Sequence, residues 1–265
     1  MNGRFAKLEI EQRSPATRAA LDTEQIAGTP VRTAQHDLLL ATDAYHSGQF
    51  ENALQLYTRA LRGDRGMIPA WVGQVQMLVE LGEYPEARLW ADKSLELFKN
   101  NGDLLAAKAR ACLRQRDRAA AVACSDASLA SPGTSPQRWQ ARGEVLLDKA
   151  PDRARDCFER SLTESAADWF DRLVIARAYL FHGYAAPAVP YAQAGVQLQP
   201  ASSHAWLTLA RCQDALGWGE QARNSCERAL QLPGDRTIAL NALSSLDHQH
   251  TPTRLARWVR GLFRR

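Results

Sequence analysis

A small residue followed by Leu or Val returns at a fixed interval through most of this chain. The copies are Ala60-Leu61, Ser94-Leu95, Ser128-Leu129, Ser161-Leu162, Gly195-Val196 and Ala229-Leu230, spaced 34, 34, 33, 34 and 34 residues apart. Another small residue stands seven or eight positions earlier, at Ala53, Ala87, Ala121, Ala154, Ala188 and Ala222. Five residues before that comes a turn glycine, Gly48, Gly82, Gly183 or Gly217, with Arg116 and roughly Ala150 in the two irregular units. A period held over six copies means one supersecondary unit stacked repeatedly along an axis.

Each unit carries two apolar stripes at i, i+3, i+4, i+7 spacing on either side of the turn, the pattern of two amphipathic helices. Small residues midway along the second helix let its axis approach the first. Tyr57, Trp90 and Phe158 are large enough to fill the space between neighbouring hairpins. Pro85 and Pro187 suit the first turn of a second helix, where a missing N–H costs nothing, and Pro190 is expected to share that tolerance. Pro69, Pro132, Pro200 and Pro233 fall between units and are expected to end each second helix. The six units cover about residues 34–236, and a seventh helix over about Thr237 to Leu246 is expected to cap the array.

Trp206-Leu207-Thr208-Leu209-Ala210 with Gly217, Ala222, Ala229-Leu230 and Pro233 resembles a tetratricopeptide repeat. So does Gly82-Glu83-Tyr84 with Ala87 and Leu95. The resemblance implies an all-α, right-handed superhelical solenoid of about six helical hairpins, acting as a non-catalytic protein-binding scaffold or adaptor. Its first helices would line a concave groove that takes a partner's extended peptide or helix. Two units depart from the pattern: the third has Gln115-Arg116-Asp117 at its turn, and the fourth is one residue short near Lys149-Ala150-Pro151. Some members of the family clamp a chaperone's C-terminal carboxylate with Lys and Asn on first helices. Leu38 and Thr42 occupy those places here, so that clamp is not reproduced.

Aligning the units places Tyr45, His46, Gln76, Glu80, Arg110, Arg114, Gln140, Glu144, Arg177, Phe181, Arg211 and Asp214 towards the groove. Within this set Arg110, Arg114, Arg177 and Arg211 form a basic cluster. Guanidinium favours bidentate contact with carboxylate or phosphate, so an acidic peptide or a C-terminal carboxylate is one ligand class. The alternative is that the arginines pair with Glu144, Asp214 or Asp148 and solubilise the groove. The candidate partner-binding residues are therefore Tyr45, His46, Gln76, Arg110, Arg114, Gln140, Arg177, Phe181 and Arg211.

Charge is unevenly distributed. The whole chain is +4, residues 1–33 contribute +1 and residues 251–265 contribute +5, so the body between them is net −2. A nucleic-acid-binding body would be basic, which argues against that partner. Residues 1–33 lack the period and contain Pro15, Gly28 and Pro30, as expected of a mobile extension. Residues 251–265 put Leu255, Trp258, Val259, Leu262 and Phe263 on one helical face, with Arg254, Arg257 and Arg260 elsewhere on the helix. Three readings of this tail stand together. It docks on an anionic membrane surface and makes the chain a peripheral membrane organiser, it enters a partner's groove, or it packs back on Leu240 and Leu243. Self-association through grooves or edges is equally open.

The first ten residues hold no apolar signal core, and no run reaches membrane-spanning length. Together with isolated cysteines at 112, 124, 157, 212 and 226, this fits a cytoplasmic chain, at the inner face of a membrane if the tail binds lipid. None of the cysteines is spaced as a zinc or redox motif, and they read as small core residues. No phosphate-binding loop, dinucleotide fingerprint, zinc-protease helix or nucleophile elbow occurs. His248 and His250 lack accompanying ligands. No catalytic residue, cofactor or metal site is expected.

Overall fold

The computed structural model describes residues 33–166 and 168–249, and among them there are thirteen helices and no strand. The helices pair in chain order: α1 (Ala34–His46) with α2 (Phe50–Gly63), α3 (Ile68–Glu80) with α4 (Tyr84–Leu97), and α5 (Gly102–Arg114) with α6 (Arg118–Ala130). Then follow α7 (Pro136–Leu146) with α8 (Pro151–Glu164), α9 (Trp169–Phe181) with α10 (Ala185–Leu198), and α11 (Ser203–Ala215) with α12 (Gly219–Leu230). The cap is α13 (Arg236–Gln249). Six hairpins and a capping helix are thus where the period put them. Of the extension only Thr33 is described, and its hydroxyl caps α1 by accepting from the His36 N–H at 3.2 Å. The tail helix predicted over 251–265, with its membrane or partner residues, lies outside the described residues.

The turns follow from backbone chemistry. Gly48, Gly82, Gly183 and Gly217 all have φ between 77° and 83°, the left-handed region that a side chain disfavours. The next N–H then donates back to a carbonyl five residues earlier: Glu83 to Leu78, Tyr184 to Tyr179 and Trp218 to Gln213, each at 2.9 Å. In the third unit Arg116 takes the same conformation, φ 66°, and Asp117 makes the same bond to Cys112. The fourth unit, one residue shorter, has no left-handed residue in its turn; Ala150 N–H donates to Leu146 at 2.8 Å instead.

The small residues have the predicted role. Ala53, Ala87, Ala121, Ala154, Ala188 and Ala222 are all fully buried, as are Ala60, Ser94, Ser128 and Ser161. Tyr57, Trp90 and Phe158 are buried among them, within one core that runs from Ala41 to Cys212. A second cluster, around Leu207, Cys226, Ala239 and Leu246, joins the cap to the sixth hairpin. Two prolines differ from expectation. Pro69 lies inside the first turn of α3 rather than ending α2. Pro190 is the sixth residue of α10, beyond the four free N–H groups, so it removes one bond of the helical ladder.

Candidate functional site

The first helices do not line an open trough. The array winds tightly enough for the first hairpin to touch the fifth and sixth. Tyr45 on α1 meets Phe170 on α9 edge-on, with ring centroids 4.7 Å apart, and His46 lies 4.3 Å from the same ring. Phe50, at the start of α2, meets His204 on α11 edge-on at 5.7 Å. Gly48 sits so close to His204 that a Cβ there would come within 2.3 Å of Nδ1. These contacts close one wall of the groove into a lumen filled with the chain's own side chains.

Deeper in the lumen is an ionic network. Arg110 Nε donates to Glu144 Oε2 at 2.9 Å, and Arg114 Nε donates to Glu144 Oε1 at 2.7 Å. Glu80 on α3 lies 3.5 Å from Arg110 Nη2 and 3.3 Å from Arg177 Nε, so it links the second hairpin to the fifth. His182 Nε2 lies 3.4 Å from Glu144 Oε1. All the carboxylates and guanidinia in these contacts are nearly solvent-free. Burial works against ionisation of both carboxylates. The guanidinia outweigh it, holding Glu80 below the usual carboxylate range and Glu144 well below it. His204 is neutral: burial, then the positive charges of Arg177 and Arg211, push it well below the ordinary imidazole value. Its Nε2 can therefore accept from Arg177 Nη1 at 3.0 Å.

The residues aligned to the groove separate into two groups. Tyr45, His46, Arg110, Arg114, Gln140 and Arg177 come together, but as members of this internal network rather than as a free surface. Gln140 Nε2 donates to Asp171 Oδ1 at 2.6 Å, and burial raises the Tyr45 phenol. Three of the four arginines are thus paired with carboxylates, Glu144 among them as the alternative reading had it, joined by Glu80 rather than by Asp214. Gln76 is half-buried on α3. Phe181 and Arg211 remain open to solvent. The Phe181 ring, 45% exposed, covers the Arg114 guanidinium at 3.6 Å and meets Tyr84 edge-on at 6.2 Å. Tyr184, also exposed, stands two residues beyond His182 on the same turn.

Arg211 has no carboxylate within ion-pair distance among the described residues. Burial, then the positive charge of Arg177, lower its pKa against the opposing pull of Glu80. Four guanidinia thus share this wall with two interior carboxylates, Glu80 and Glu144. Sequence alignment missed Phe170 and His204. Both were legible in principle, because each lies seven residues before its arginine, in the register that relates Arg177 to Arg211. Among the described residues no group of His, Cys, Asp and Glu could hold a metal ion, and no helix is long and apolar enough to cross a membrane.

A family model described as tetratricopeptide repeat matches residues 38–102. No protein of curated function matches the sequence. Among solved structures, a tetratricopeptide repeat protein from Parabacteroides merdae aligns at 18% identity and TM-score 0.52, covering 86% of this chain and 89% of its own. The human IFIT1 dimer with m7Gppp-AAAA aligns at 14% identity and TM-score 0.56, covering 82% of this chain and 54% of its own. The APC/C hetero-tetramer Cut9-Hcn1 aligns at 14% identity and TM-score 0.49, covering 88% of this chain and 46% of its own. This chain therefore spans about half the length of the latter two. At these identities the likeness is one of fold.

Proposed function

We propose, from the premise that this chain is a tetratricopeptide-repeat protein, that it is a non-catalytic scaffold binding an acidic segment of a partner protein at Arg211 and Phe181. Proteins of this fold bind other proteins or peptides. The observation that carries the finer reading is Arg211 itself, exposed and with no carboxylate within ion-pair distance among the described residues, on an array whose interior holds more guanidinia than carboxylates; Phe181 is a second exposed side chain of the same set. Arg110, Arg114 and Arg177 already have carboxylate partners, so they set the potential of the wall rather than clamp a ligand. An incoming Asp, Glu or C-terminal carboxylate would meet Arg211 directly. Apolar residues elsewhere on the same segment would cover Phe181.

The test uses fluorescent peptides rich in Asp and Glu, with free or amidated C-termini, read by anisotropy at low and high salt. Arg211→Glu should weaken binding at least roughly tenfold in a chain whose helix content is unchanged, since charge-assisted hydrogen bonds weigh about 1.5–3 kcal/mol, and Phe181→Ala should weaken it through lost apolar burial. Equal binding of acidic and basic peptides, or no loss in Arg211→Glu, rejects the site. A second reading rests on the amphipathic pattern of residues 251–265: a peripheral membrane organiser attached to anionic lipid at the inner face of a membrane. Co-sedimentation with anionic liposomes, lost on removal of the tail, separates it from the first.

A further inference from the structure

Each first helix after α1 rests on the second helix of the hairpin before it. Tyr57 on α2 lies so close to Gly73 on α3 that a Cβ there would come within 2.3 Å of its ring. Asp92 on α4 pairs with Lys108 on α5 at 2.5 Å, and Asp126 on α6 with Arg142 on α7 at 2.6 Å. Ala120 and Ala121 on α6 pack in one cluster with Val145 on α7. The first described helix, α1, presents the same face openly. Leu39 has the register of Gly73, Ala107, Ala141, Val174 and Thr208, all of which are buried, yet it is 58% exposed. Asp43 is exposed in the register of Met77, Ala111, Val145, Ala178 and Cys212, again all buried. A groove of about 430 Å³ runs beside them between α1 and α2, with Leu40, Asp43, Leu56 and Arg59 among its walls.

We propose that residues 16–29 of the same chain dock on this face as a further second helix and close the N-terminal end of the solenoid. The whole unit does not extend into residues 1–33, where Ser14 stands in place of the turn glycine, but the register of its second helix does. Ala19 lies 34 residues before Ala53, and the apolar pair Ile26-Ala27 lies 34 residues before Ala60-Leu61. The connection has the right length. Four or five residues join every second helix to the next first helix, and α1 begins at Ala34. Pro30 falls within that link, as Pro132, Pro200 and Pro233 do in theirs. Charge selects the same segment. Arg18 has the register of Ala120, and Asp43 has the register of Val145, with which Ala120 packs. An apolar contact between the third and fourth hairpins thus becomes a guanidinium–carboxylate pair at the first, where Asp43 faces water. Docking also takes Leu39 out of water, and a solenoid end needs such a cover.

The experiment combines Thr23→Cys and Leu39→Cys in the full chain, two positions in the register of the touching Tyr57 and Gly73. A short bismaleimide cross-linker is added to a mixture of unlabelled and heavy-nitrogen-labelled copies, and tryptic peptides are mapped by mass spectrometry. A cross-link joining positions 23 and 39 within one copy is expected. Ala19→Asp should abolish it, because it puts a charge in the register of the fully buried Ala53. In the chain without added cysteines, Ala19→Asp should also speed hydrogen exchange of the α1 amides at least roughly tenfold. Arg18→Glu should speed it too, and Arg18→Glu combined with Asp43→Arg should restore the protection. No cross-link, or one formed only between copies, overturns the proposal. So does a cross-link that survives Ala19→Asp with α1 exchange unchanged.

Discussion

Individual residues in this protein are decided by distances of a few tenths of an ångström. Gly143 on α7 faces the fully buried ring of Phe158 on α8, and a Cβ at Gly143 would lie 2.5 Å from that ring. Overpacking costs about 1–3 kcal/mol, while Gly to Ala in a helix returns at most about 1 kcal/mol. Gly143→Ala should therefore lower stability in urea denaturation, and adding Phe158→Leu should recover part of the loss. An unchanged midpoint in the single variant would mean that α7 and α8 separate freely. His204 has a different consequence. Its folded pKa lies below its unfolded value of about 6.5, so the unfolded chain binds more protons in the interval between them. The stability contributed by the neutral ring is complete above pH 6.5 and drains away as pH falls. The pKa of His46 is lowered too, by burial first, and acts in the same direction. His204→Gln keeps a polar side chain that can accept from Arg177 and has no proton to gain. It should flatten the decline in urea midpoint between pH 6.5 and 5 to what His46 alone supplies. An undiminished slope would place the titrating group elsewhere.

At the scale of the hairpin, the turns show how a repeat tolerates irregularity. Arg116 reproduces the glycine geometry of the regular units at φ 66°, against a preference of about 1–2 kcal/mol for the right-handed conformation. The turn holds because Asp117 both bonds back to Cys112 and caps α6, accepting from the Ala120 N–H at 3.1 Å. Restoring the repeat's own residue with Arg116→Gly should raise stability by about 0.5–1 kcal/mol, read as a higher thermal midpoint. A lower midpoint would show that the arginine side chain contributes contacts worth more than the strain. The period, the turn glycines and the buried small residues were all legible in the sequence. They are local: each constrains a partner within one hairpin or the next, and so leaves a trace at fixed spacing. Arg110, Arg114 and Arg177 were legible as groove-facing for the same reason, but not their state, because their partners come from other hairpins.

At the scale of the whole molecule, Glu80 is the residue on which closure of the lumen turns. It draws the second hairpin towards the fifth through Arg177, and also contacts Arg110. Removing one member of a buried ion pair leaves an uncompensated charge and costs about 3–5 kcal/mol. Glu80→Ala should therefore lower stability by that order while leaving the hairpins helical, because their cores of small residues do not involve it. Small-angle scattering should then show a larger radius of gyration as the superhelix relaxes. Loss of stability without expansion would assign closure to the ring contacts of Tyr45, Phe170, Phe50 and His204. By itself the sequence determined six helical hairpins, their order, their small-residue cores and the face of each first helix, since these follow from periods within a single unit. Only the tertiary structure decided that this face closes on itself, that Glu80 and Glu144 pair with three of its arginines, and that Arg211 and Phe181 stay exposed. Superhelical pitch accumulates from small rotations between successive hairpins, and no spacing within one repeat records that sum.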